Sequence, residues 1–137
     1  MQRKAVLESA EINRIVTAAR EEALRNKWSV TVAVVDDGGH LLALERLDNC
    51  APISAYIAAE KARTAALGRR DTKNYEDMVN SGRTAFISAP LLTSLEGGLP
   101  LLVEGVVVAA IGVSGVKPEQ DAQIAAAGVA ALCSNQA

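Results

Sequence analysis

The chain has 137 residues, half of them hydrophobic, and a formal net charge of −2. That length suits one domain, 1–137, with a core of sufficient size. The near-neutral charge speaks against a nucleic-acid surface, because phosphate binding needs a basic patch. Only four residues are aromatic, Trp28, Tyr56, Tyr75 and Phe86. Alanine, valine and leucine must therefore fill the core, and small side chains allow close approach of helix to sheet or of one subunit to another. Lys61–Arg63 and Arg69-Arg70 have acids nearby and read as solvated faces. Cys50 and Cys133 form no Cys-x-x-Cys, so a zinc or redox motif is not indicated. The amino terminus is charged and lacks the apolar stretch of a signal peptide. No apolar run reaches the roughly 18 residues of a membrane span. The expectation is a cytoplasmic, reduced protein.

Ser9 is placed to cap a first helix running to about Asn26. Ile12, Ile15, Val16, Ala19 and Ala23 follow helical spacing and mark one buried stripe. Then the period changes. Val30–Val35 reads as a strand rich in β-branched residues. Asp37-Gly38-Gly39 is a hairpin turn signal, and His40–Leu47 is the return strand. Pro52 suits an early position in a second helix that ends near Gly68. Ile53, Ile57, Ala58, Ala62 and Ala65 form its apolar side. A short helix spans about Thr72 to Ser81, with Gly82 as its stop. Pro90 interrupts Arg83–Leu95, which reads as irregular with room for one further strand. Gly97–Pro100 reads as a loop. Leu101–Val103 and Val106–Ser114 form a hairpin around Glu104-Gly105. A last helix covers about Glu119 to Cys133, with Ile124, Ala125, Gly128, Val129 and Leu132 facing inward. Two tight hairpins demand antiparallel pairing rather than a Rossmann sheet. An antiparallel sheet with helices stacked on it satisfies this order.

The candidate chemistry is sparse. His40 is the only histidine, so neither a histidine triad nor a multi-histidine metal site can be built within one chain unless other ligands complete it. It could ligate haem iron or act as a base; the plainer alternative is a solvent-facing side chain beside a turn. Cys50 precedes a helix whose dipole and free N–H groups would lower a thiol pKa, with Arg46 and Lys61 as possible helpers. The alternative is a small buried residue. Lys61, set among Ala58, Ala59 and Ala62, could reach a cavity and bind a carboxylate, or it could form a surface ion pair. Gly97-Gly98 could present N–H groups to an anion, although no phosphate-loop motif is present. Glu60, Glu96 and Glu104 are candidate acid–base groups, with Glu104 in an exposed turn. Asp121 most simply charges the first turn of the last helix.

These residues assemble into a pattern. Val34-Val35-Asp36-Asp37-Gly38-Gly39-His40-Leu41 is followed by Arg46-Leu47-Asp48. Then come Glu60-Lys61-Ala62-Arg63-Thr64-Ala65 and Gly97-Gly98-Leu99-Pro100. Ile111-Gly112-Val113-Ser114-Gly115 and Asp121 with Ile124-Ala125 complete it. Together they resemble the GlcG/HbpS family (DUF336), which includes the carboxy-terminal domain of PduO-type proteins. The resemblance covers about Leu7 to Leu132. It implies a profilin-like, three-layer α/β/α domain with a five-stranded antiparallel sheet, and homo-oligomers. It also implies binding of a small-molecule ligand, haem in some members, for which His40 would be the iron ligand. Leu47 stands where the family often has methionine. Cys50 departs from a glycine or alanine there, so no role carries over to it.

Two functions follow as expectations. One is an oligomer that binds haem or another small ligand. The other is an enzyme acting on a small carboxylated catabolic intermediate. In that enzyme Arg46 and Lys61 would anchor the carboxylate, and Gly97 and Gly98, beside Pro100, would stabilise developing charge. Glu60, Glu96 or Cys50 would act as base or nucleophile.

Overall fold

The computed structural model describes residues 1–134. Helix α1 (Ser9–Arg25) leads into strands β1 (Thr31–Asp36) and β2 (Leu41–Arg46). Helices α2 (Ile53–Gly68) and α3 (Thr72–Asn80) follow, then a 3₁₀ turn at Thr84–Ser88. Strands β3 (Gly98–Val103) and β4 (Val106–Ser114) form the second hairpin, and α4 (Pro118–Cys133) closes the order.

The sheet is antiparallel, with the order β2-β1-β4-β3. It has four strands, not the five that the family resemblance implied. The segment 83–95 supplies no strand: it winds into the 3₁₀ turn, and Leu91 takes a positive φ of 59°. A run containing a proline and a left-handed residue cannot hold a continuous ladder.

Two helix layers cover the sheet. Alternate residues of β1 and β4 (Val32, Val34, Ile111 and Val113) pack with Ile15, Ala19 and Ala23 of α1 and Ile124, Ala125 and Leu132 of α4. The opposite face offers Ala33, Val35 and Ala110 to Ala58, Ala62, Ala65 and Ala66 of α2. β1 is therefore buried from Thr31 to Val35. This two-sided burial explains why its sequence is apolar without strict alternation.

The α2 layer lies close to the sheet because the facing surface is nearly flat. Ala33, Gly112 and Gly98 are cross-strand neighbours in one row. A Cβ on Gly112 would meet the Ala58 carbonyl and the Ala62 backbone nitrogen, and one on Gly98 would meet the Lys61 carbonyl. Glycine there admits the helix backbone itself.

Several boundaries and faces differ from the sequence reading. Glu8, not Ser9, caps α1, and its N–H donates to the Glu11 carboxylate at 2.9 Å. Gly98–Pro100 belongs to β3 rather than to a loop. Ile53 is exposed, and the buried side of α2 carries Ser54, Lys61 and Thr64 among its alanines. These polar groups are buried because each finds a hydrogen-bond partner, which a hydrophobic stripe alone cannot reveal.

Candidate functional site

At one end of β1 the hairpin turn holds His40. The Asp36 carboxylate organises this turn. Its Oδ1 accepts the N–H groups of Gly38 at 2.9 Å and His40 at 3.0 Å. The imidazole Nδ1 lies 3.2 Å from both carboxylate oxygens. Burial pushes the Asp36 carboxyl up, but the backbone N–H groups of His40 and Gly38 and the His40 ring together hold it below the usual carboxylate range. The His40 side chain is 81% exposed. With Nδ1 engaged, Nε2 is the nitrogen left to act.

Across the sheet, at the far end of β4, lies a buried ion pair. Lys61 reaches from α2 past the sheet end to α4. Its Nζ donates to Asp121 Oδ2 and to the Val113 carbonyl, both at 2.9 Å. Asp121 Oδ1 accepts the Val116 N–H at 3.1 Å. Both side chains are almost wholly buried, at 4% and 3% exposure. Burial pushes the Asp121 carboxyl up, with Lys61 pulling against it. Gly97, at φ 128°, leaves the space: a Cβ there would meet Lys61 Nζ, Asp121 Cβ and the Val113 carbonyl.

This geometry corrects two expectations. Lys61 does not extend into a cavity to await a carboxylate; Asp121 already occupies its ammonium. Gly97 and Gly98 do not form an open cradle for an anion. The Gly98 N–H donates to Thr72 Oγ1 at 2.9 Å, and the Gly97 carbonyl accepts from Val113. The glycines serve close approach of helix and lysine. Pro100 sits in β3 opposite Ala110, an edge strand that tolerates a residue without an N–H.

The third locus surrounds Cys50, just ahead of α2. Its Sγ donates to the Leu47 carbonyl at 3.1 Å. It also lies 3.4 Å from Ser54 Oγ and 3.6 Å from Thr31 Oγ1. Arg46 Nη2 donates to the Cys50 carbonyl at 3.2 Å. Burial pushes the thiol up, but Ser54, Thr31 and Arg46 outweigh it and bring the thiol below its ordinary value. Arg46 is thus beside Cys50, as the sequence suggested, while Lys61 is held elsewhere by Asp121.

The remaining candidates are dispersed. Glu60 pairs with Arg63 one turn along α2. Glu96 is half-buried, and burial pushes its carboxyl up, opposed by Lys73 and reinforced by Glu76. Lys61, Glu60 and Cys50 are held by three different sets of partners. Ser54, Thr31 and Thr72 escaped the sequence reading. Small hydroxyl residues carry no periodic signal, and only the fold reveals their partners. Asp121 was visible, but its partner sixty residues away was not.

The fold and these loci can be set against known proteins. The family model described as haem-degrading protein HbpS-like matches residues 7–130. The chain belongs to the HbpS-like family. GlcG of Escherichia coli K12 is 63% identical over 114 residues, covering 83% of this chain and 85% of that protein. Among solved structures, a double mutant of Streptomyces reticuli HbpS is 32% identical, with a TM-score of 0.87 over 96% of this chain and 90% of the other. The PduOC–haem complex is 26% identical, with a TM-score of 0.84 over 93% of this chain and 95% of the other. In this HbpS-like chain, then, the glycine pair and Lys61 serve packing between layers. His40 and Cys50 stand at opposite ends of β1.

Proposed function

We propose that this HbpS-like chain is an oligomeric small-ligand-binding protein whose ligand is haem, held through His40. The observation that carries this reading is the His40–Asp36 pair. A carboxylate on one ring nitrogen fixes the tautomer and leaves the other nitrogen to ligate, the arrangement that ligating histidines use. The residues around it fit the group. Leu41, Leu42 and Leu44 of the neighbouring edge strand are exposed and offer apolar surface to a porphyrin or to a second subunit. Exposed Ile53 and Tyr56 on α2 add to the surface that a partner subunit would cover. Membership of the family and the likeness to the PduOC–haem complex support the same reading. When bound, haem would supply iron chemistry tuned by its axial ligand. The chain's part is to orient the His40 imidazole through Asp36.

Haemin titration of the wild type and of His40→Ala tests this. The wild type is expected to give a saturable Soret shift that His40→Ala loses or displaces. Equal spectra in both would remove His40 as the ligand. No shift in the wild type would remove haem itself.

A further inference from the structure

A groove of about 580 Å³ opens at the end of the sheet opposite His40. It is bounded by the last turns of α1, by the α1–β1 turn and by the turn that follows β2. β1 separates it from the histidine turn by about 17 Å, the length of a six-residue strand. That volume falls within the range of small-molecule sites.

The charges of its lining are unevenly neutralised. Arg20 Nη1 donates to both oxygens of Glu45, at 2.8 and 2.7 Å, so this pair is self-contained. Arg46 and Lys27 also line the groove. Arg46 spends one N–H on the Cys50 carbonyl, and neither cation has a carboxylate within 4 Å among the described residues. Asp48 is the single acid set against these two cations, which leaves the groove one positive charge in excess. Asn49 adds an amide that can both donate and accept.

Trp28 is the one aromatic residue of the lining. It is the chain's only tryptophan, half-buried and packed against the main core, yet it lines the groove. No acceptor among the described residues takes its indole N–H, and that atom is not buried. Lys27 precedes it in a left-handed conformation, φ 60°, at the end of α1. Glycine is the residue that conformation favours. A lysine there places a cation on the groove at some conformational cost.

We infer that this groove binds a small planar monocarboxylate of the aromatic-acid class, its ring against Trp28 and its carboxylate between Lys27 and Arg46. Stacking on an indole selects a flat ring. The excess positive charge and the forked guanidinium select an anion. The site is independent of His40 and of haem.

Benzoate is the probe, read by Trp28 fluorescence excited at long wavelength and by calorimetry on the whole chain. Saturable one-to-one binding is expected. Benzamide, which lacks the charge, and cyclohexanecarboxylate, which lacks the plane, should each bind at least tenfold more weakly. Arg46→Ala and Lys27→Gly should each weaken benzoate at least tenfold, while His40→Ala leaves it unchanged. Lys27→Gly relieves the left-handed strain, so its loss of binding cannot be ascribed to poor folding if its melting temperature equals or exceeds the wild type's. No saturable binding by either readout would overturn the proposal. So would benzamide or cyclohexanecarboxylate binding as well as benzoate, wild-type affinity in both groove variants, or loss of binding in His40→Ala.

Discussion

Asp36 illustrates how much one carboxylate can organise. It accepts two backbone N–H groups and faces the only imidazole in the chain. Its folded pKa is depressed, so the sign of the linkage is fixed. The stabilising contribution is present above the unfolded carboxylate value and is lost as pH falls through the folded one. The wild type is therefore expected to lose stability below about pH 4, where unfolded aspartate titrates. In urea denaturation followed across that acid range, Asp36→Asn should show a shallower decline. Parallel declines would mean that the turn does not depend on the ionised carboxylate. Cys50 shows the complementary lesson. Its position ahead of a helix suggested a perturbed thiol, and the lowering is there. The agents are chiefly Ser54, Thr31 and Arg46, and two of these were invisible until the strand and helix were brought together.

At the scale of elements, the glycines of β3 and β4 decide how α2 sits. Gly112→Ala would drive a methyl into the Ala58 carbonyl and the Ala62 nitrogen. Overpacking of this kind costs about 1–3 kcal/mol, with the backbone forced to shift. A lowered urea midpoint for Gly112→Ala, at unchanged secondary-structure content, is the expected result; an unchanged midpoint would mean that the helix moves away at no cost. The order of helices and strands was legible in the sequence because both hairpins carry glycine turns and α1 has a clean apolar stripe. The inner face of α2 was legible only in part: Ala58, Ala62 and Ala65 are buried as the pattern placed them. Alanine is small enough to lie on any side, so the pattern misplaced Ile53 and hid Lys61. The Gly97-Gly98 signal was real, but its physical cause is close packing, which a sequence cannot distinguish from an anion cradle. The family resemblance extended the reading to the layers and overcounted the strands by one, because segment 83–95 winds into a 3₁₀ turn.

For the whole molecule, the Lys61–Asp121 pair is the polar tie between the two helix layers. Lys61→Met leaves an unpaired carboxylate at 3% exposure. Loss of one partner of a buried pair costs about 3–5 kcal/mol. The double replacement Lys61→Met with Asp121→Leu removes both charges and is expected to recover much of that loss. Thermal melts of the two variants and the wild type measure this. A single variant as stable as the wild type would show that the pair contributes nothing to the fold. Gly97 is what permits the pair, since it clears the passage around the sheet end. That passage has a dynamic corollary. If α2 peels away from the sheet, the aspartate on α4 is stranded; if α4 lifts, the lysine is. Each layer therefore penalises the other's departure, and backbone amides of α2 and α4 should exchange with solvent through one shared opening event rather than two separate ones.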